Sequence, residues 1–281
     1  MAIASTPTRT EGHLRLSAER IGDRTRLTEL ECRAPLQLMR CHYLDAALPD
    51  MAYATILSPS GGVLQGDRLQ IAVRVDAAAR LHLNTPSAMR LYRTPAERAE
   101  QSVTLTVDGD GYLEYLPDPA IPFAGSDFTS RTLARVADDA TLIVAEAVTG
   151  GRAACGEVHK FTSYQSVVEI ARLDGPVLSL DVTTLDPSQA LAAPGRLGAY
   201  VATGTLYVIR SGFDADGLRD AVTRANVPGT LAGASSLPSG LGAWLKVLGP
   251  DGPSVAEVLG HAAAAAHCLI LGSPSPPSRR P

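Results

Sequence analysis

The sequence predicts a single, mainly β domain with two helices near its C-terminal end. Short segments alternating with period two recur between residues 12 and 209, with turn signals between several of them. No helical pattern separates these segments, which argues against a parallel sheet built by helical crossovers. A 3.6-residue period emerges only after Asp214. Hydrophobic residues make up 45% of the 281 residues and charged residues 19%, enough to fill a sizeable core. The strand spacing fits a sandwich, a barrel or a coil of stacked strands, and the residues do not choose among them.

A hairpin comes first. Leu14, Leu16 and Ala18 alternate with His13, Arg15 and Ser17, Gly22-Asp23 supplies the turn, and Thr25, Leu27 and Glu29 continue beyond it. Pro35 and Pro49 bound a looser connection containing Cys41-His42. Neighbours on a strand point to opposite faces, so this pair is a poor metal site. A strand over 53–57 leads into Ser58-Pro59-Ser60-Gly61-Gly62-Val63-Leu64-Gln65-Gly66-Asp67-Arg68, and a second strand follows over 69–75. Gly61, Gly62 and Gly66 mark a tight loop that needs positive φ or close backbone approach. Asp67 and Arg68 either cap that loop or face a polar site. Phosphate binding is excluded: no Lys-Ser or Lys-Thr follows Gly66, the G-x-G-x-x-G spacing is missing, and the loop leads into a strand rather than a helix N-terminus. No intrinsic GTPase activity is therefore expected.

Further strands are predicted over 81–84, 103–107, 112–116, 131–136, 142–148, 158–161, 167–173, 177–182 and 200–209, and no exact internal repeat is visible. The first helix spans 214–225, with Asp214 or Asp216 as N-cap. The second opens on a capping box, Ser254-x-x-Glu257, and ends before Gly272. Its apolar stripe includes Val255, Val258, Leu259, Ala262, Ala266, Leu269 and Ile270. Residues 1–10 and the Pro/Ser-rich 273–281 read as flexible segments flanking a domain over 11–272.

A net charge of −4 argues against nucleic-acid and anionic-membrane partners. No secretory leader and no run of eighteen apolar residues is visible, so a membrane span is not expected. Cys32, Cys41, Cys155 and Cys268 are scattered, without zinc spacing or a disulfide framework; each is expected to be a small buried hydrophobe in a reducing cytoplasmic protein.

No nucleophile constellation appears, since Pro238-Ser239-Gly240-Leu241-Gly242 has the wrong frame for a nucleophile elbow. The polar residues worth singling out are acids. Glu146 interrupts the apolar run 142–148, where an unpaired carboxylate is costly, so it is expected to have a partner or a job, and Arg152 is one candidate partner. Glu157-x-His159 puts an acid and an imidazole on one face if the segment is a strand. Together with Asp67, these side chains suit a transient divalent-cation path better than a tight site.

Four ordered blocks resemble the urease accessory protein D family, also called H. They are Gly61-Gly62-Val63-Leu64-Gln65-Gly66-Asp67; Asn84-Thr85-Pro86-Ser87-Ala88-Met89-Arg90-Leu91-Tyr92-Arg93; Leu113-Glu114-Tyr115-Leu116-Pro117-Asp118-Pro119; and Gly151-Arg152-Ala153-Ala154-Cys155-Gly156-Glu157. Met89-Arg90 stands where the family usually has Thr-Lys. The resemblance spans about 15–272. It implies an irregular β-helical stack of strands and a scaffold without enzymatic activity or a tightly bound cofactor. Such a scaffold binds the urease apoprotein and recruits accessory proteins F and G for GTP-dependent nickel insertion, with G hydrolysing the GTP. On this reading Asp67, Glu146, Glu157 and His159 line a nickel route, and Gly61, Gly62, Gly66, Arg152 and Gly156 shape its loops. Ser254, Val258, Leu259 and Leu269 of the second helix are the candidate surface for F. The rival reading is a small-molecule hydrolase or lyase on a β-rich scaffold.

Overall fold

The computed structural model describes residues 9–276. The chain winds as a coil of parallel strands. β1 (Glu11–Ile21) and β2 (Arg24–Arg33) form the opening hairpin, followed by the short β3 (Gln37–Leu38). Four turns of coil come next. They comprise β4 (Ala52–Leu57) and β5 (Arg68–Val75); β6 (Arg80–Asn84), β7 (Met89–Leu91) and β8 (Ala99–Val107); β9 (Tyr112–Leu116), β10 (Ala120–Pro122) and β11 (Asp127–Val136); and β12 (Thr141–Val148) with β13 (Ser163–Arg172). β14 (Val177–Leu185), β15 (Ala202–Ile209), α1 (Asp216–Ala225), β16 (Leu231–Ser236), β17 (Gly242–Gly249) and α2 (Gly252–Leu271) complete the order.

Each turn contributes one strand to each of two sheets. β1, β5, β8, β11 and β13 stack in parallel, flanked by β14 and β2, to give a seven-stranded sheet. β4, β6, β9 and β12 stack in parallel within a ten-stranded sheet, which continues antiparallel through β15, β17 and β16. A narrow third face joins Val63, β7 and β10. Period-two alternation points Leu69, Ile71 and Val73 of β5 inward against Leu81, Leu113 and Leu142 of the opposing sheet, and these residues share one core. A second core lies on the other side of the ten-stranded sheet, under α1 and α2.

The coil has a repeat that side-chain identity hides. Val75, Val107 and Val136 are fully buried and open three stacked corners. The Asp108 and Ala137 amides donate to the Val75 and Val107 carbonyls, both at 2.9 Å. The corners read Val-Asp-Ala-Ala-Ala-Arg, Val-Asp-Gly-Asp-Gly-Tyr and Val-Ala-Asp-Asp-Ala-Thr.

Several expectations are corrected. Residues 158–161 form no strand: His159 sits at φ 52, which breaks extension, and its amide donates to the Gly150 carbonyl at 2.6 Å. The cap of α2 is Asp251, whose carboxylate accepts from the Ser254 amide at 2.8 Å, so Ser254 lies in the first turn rather than at the cap. α1 begins at Asp216 with Ala215 in the cap position and no side-chain cap; Asp214 accepts from the Asp216 amide at 2.8 Å. The cysteines are free and none is buried; Cys32, Cys155 and Cys268 are exposed. α2 is long and apolar enough to cross a bilayer, but its apolar side packs on the ten-stranded sheet. Ser273 is buried and donates to Asp45 at 3.2 Å, so the chain is still docked there. Residues 1–8 and 277–281, read as flexible from sequence, lie outside the described residues.

Candidate functional site

β12 places Glu146 in the interior. Leu142, Val144 and Val148 belong to the core between the sheets, while Ile143, Ala145 and Ala147 belong to the core under the helices. Alternation therefore turns Glu146 inward. Among the described residues its one hydrogen bond comes from the Ser166 hydroxyl of β13, at 2.5 Å. Burial pushes its carboxyl pKa up, and nearby Asp181 adds to that; the Ser166 bond and Lys246 pull the other way. A cavity of about 340 Å³ runs between the sheets to Glu146 and Tyr164, with Gln101, Ser130 and Thr132 on its wall. It reaches the surface at the exposed Pro59, Gly61, Pro86 and Ser87. Behind Glu146 a recess of about 10 Å³, room for about one water, is lined by Thr183, Thr203 and Thr205. A lightly partnered carboxylate at the inner end of this largely apolar cavity, beside the threonine-lined recess, can hold a cation whose other ligands are water.

The other predicted site residues do not join it. Asp67 is buried and spends both oxygens on backbone amides, accepting from Leu64 of its own loop at 2.8 Å and from Thr10, just ahead of β1, at 3.1 Å. Glu157 pairs with Arg152, whose Nε lies at 2.8 Å, and accepts from the Ala124 amide at 3.2 Å. Arg152 thus serves Glu157 rather than Glu146, and its guanidinium covers the Phe123 ring at 4.1 Å. His159 sits in the turn against Gly150 and Phe161. Among the described residues no three His, Cys, Asp or Glu side chains are arranged to hold a metal. Gly61, Gly66 and Gly156 all have positive φ. At Gly62 a side chain is excluded outright: a Cβ would lie 2.6 Å from the Arg90 carbonyl oxygen.

In α2, Val258 and Leu259 are buried against the sheet and cannot meet a partner directly, because the helix turns its apolar stripe inward. Ser254 is tied to Asp251. Of the four candidates for F, Leu269 is the large exposed one.

Sequence reasoning missed the most connected acid. Glu114 lies on β9, on the face turned to α2, and is 2% exposed. The His82 ring of β6 meets it at 2.5 Å and the His267 ring of α2 at 2.7 Å, both through Nδ1, and the Tyr112 hydroxyl donates to it. Burial alone would raise its pKa, but the hydrogen bonds and charges of the two imidazoles overcome it and lower the carboxyl to about 2. Two signals were present: a Glu inside Leu113-Glu114-Tyr115 and a His inside Leu81-His82-Leu83, each a polar residue in a short apolar strand.

Residues 10–281 match the model of the UreD urease accessory protein family. The chain belongs to the UreD family. It is 35% identical over 264 residues to urease accessory protein UreD 2 of Streptomyces griseus, covering 92% of this chain and 90% of that one. Against UreD of Cenarchaeum symbiosum it is 31% identical over 270 residues, 95% of each chain. Against UreD of Haloarcula marismortui it is 33% identical over 272 residues, covering 96% and 90%. Of the UreD blocks read from sequence, the loop at Gly61–Gly62 and the segment at Met89–Arg90 line the cavity, and the block around Glu114 lies under α2.

Proposed function

We propose that this UreD chain is a non-enzymatic scaffold of urease maturation that holds the urease apoprotein and recruits accessory proteins F and G. On this reading nickel is cargo, passing through the interior cavity and pausing at Glu146. The observation that carries the reading is Glu146 itself: a carboxylate with, among the described residues, a single hydrogen bond, placed where a largely apolar cavity meets a small threonine-lined recess. One carboxylate completed by water binds nickel weakly, which suits passage rather than storage. The nickel route narrows to Glu146, because Asp67 and Glu157 are engaged in turn capping and a surface pair. The free cysteines suit a reducing cytosol. For F, the outer face of α2 around Leu269 remains the candidate surface. Among the described residues no Ser, Thr or Cys side chain hydrogen-bonds a histidine ring, so the hydrolase reading gains no support.

The test is co-expression with the urease subunits and accessory proteins, followed by pull-down and nickel counting. Glu146→Ala is expected to assemble normally and deliver fewer nickel ions per urease active site. Full loading by Glu146→Ala would end the route.

A further inference from the structure

We propose that Glu114 and His267 form a register clamp for α2. It is a buried polar pin that fixes where a smooth helix sits on the sheet, and opening it frees the C-terminal half of the helix while the coil stays folded. The inference stands apart from the nickel and partner reading.

The two halves of α2 are held differently. In the N-terminal half, Val255 and Leu259 press on Gly204 of β15, where a Cβ would come within 2.8 and 2.7 Å of their side chains. That is a knob seated in a hole, and it resists sliding. Toward the sheet the C-terminal half presents Ala262, Ala263 and Ala266, while Leu269 seats over Gly217 of α1. Alanine offers no projecting atoms to interlock, so packing on the sheet itself distinguishes weakly between neighbouring seats. The buried position that follows is His267, and it is polar. Its ring is 1% exposed and lies edge-on to Tyr112 at 6.2 Å. Nδ1 meets Glu114, while Nε2 is buried without a partner among the described residues. The ring is therefore held at one nitrogen. Only one seat of the helix brings that nitrogen to the carboxylate; a shifted seat leaves the buried ring without a partner at either nitrogen and costs the acid one of its three donors, which is unfavourable. A single buried polar contact can set helix register in this way.

Glu114 is also braced from its own side. His82 and Tyr112 keep it in place when the helix leaves, and His82 stacks on Tyr53 at 5.2 Å. α2 contributes to the core on the outer face of the ten-stranded sheet, whereas Leu105, Leu113 and Leu142 pack in the core between the sheets. Release of the helix leaves that inner core intact.

The experiment is hydrogen exchange with mass spectrometry on the full chain, comparing wild type with Glu114→Gln, His267→Phe and the double variant. Peptides covering 262–271 are expected to exchange at least about tenfold faster in each single variant, with β5 and β8 unchanged. The double variant is expected to match the faster single one, because both break the same contact. Unchanged exchange in α2, or equal acceleration across the coil, would overturn the clamp. Additive acceleration in the double variant would also overturn it. His267→Phe keeps the ring's bulk without its polarity, so its failure to yield folded protein would count against a contact whose release leaves the coil standing.

Discussion

Glu114 and Glu146 sit on opposite faces of the same sheet, and both are withdrawn from bulk water, Glu114 fully and Glu146 in part. Glu114 collects three side-chain donors, two of them from other elements, and its carboxyl falls to about 2. Among the described residues Glu146 has Ser166 alone, and it borders a largely apolar cavity; burial drives its pKa up. Burial is common to both, so it does not distinguish their roles. The count and charge of partners does: a saturated carboxylate fastens two elements together, and an undersaturated one keeps lone pairs for a visitor.

The comparison breaks most visibly at Glu114. Glu114→Ala leaves two imidazoles and a phenol without their acceptor and should cost about 3 kcal/mol, read as a lower urea midpoint. A loss under about 0.5 kcal/mol would place Glu114 among ordinary surface acids. The next largest effect has the opposite sign. Glu146→Gln removes a poorly compensated buried charge and should stabilise by about 1 kcal/mol at neutral pH.

The pH dependences sharpen the contrast. Glu114 has a depressed pKa, so its contribution is in place above the ordinary carboxylate value and is lost as pH falls toward about 2. Glu146 has a raised pKa, so its contribution is present below the ordinary value and is lost as pH rises through the raised one. The Glu146→Gln advantage in Tm should therefore grow from mildly acid to neutral pH, and a flat difference would remove the distinction. Smallest is Ser166→Ala, expected to cost about 1 kcal/mol, with the Glu146 titration, followed by carboxyl NMR, moving further up.

Much of the fold was legible. Alternation located β5, β8 and β13, which bury one face and must obey period two, whereas β9 and β12 are covered on both faces and stood out as short apolar runs. The coil was not legible from residue patterns, because its partners are neighbours only after a full turn: Ala52 meets Leu81, and Leu81 meets Leu113. The three buried corner valines were the available signal, blurred by the differing residues behind them. Alternation misplaced 158–161, since Val158-His159-Lys160-Phe161 imitates a strand while a left-handed residue turns the chain. At α2, Asp251 took the cap from Ser254; its carboxylate accepts both the Ser254 amide and the Ser254 hydroxyl. At the candidate site, composition showed which acids were unusual, and Glu146 was one of them. Asp67 and Glu157 looked alike in sequence, and only the backbone amides around them, with the Arg152 guanidinium at Glu157, show them to be occupied.

The bond between Glu114 and His267 spans 153 positions of chain. The coil's own neighbours lie much closer in sequence, so its turns can close while the chain is still being made. At about 5 to 20 residues per second, the ribosome takes about 8 to 30 seconds to travel from the acid to its histidine. For that interval the outer face of β6 and β9, with His82, Tyr112 and Glu114, waits uncovered. The newborn protein thus carries a sticky, half-built flank that its own α2 reaches late, and in that window a general folding chaperone would find its strongest purchase on the chain.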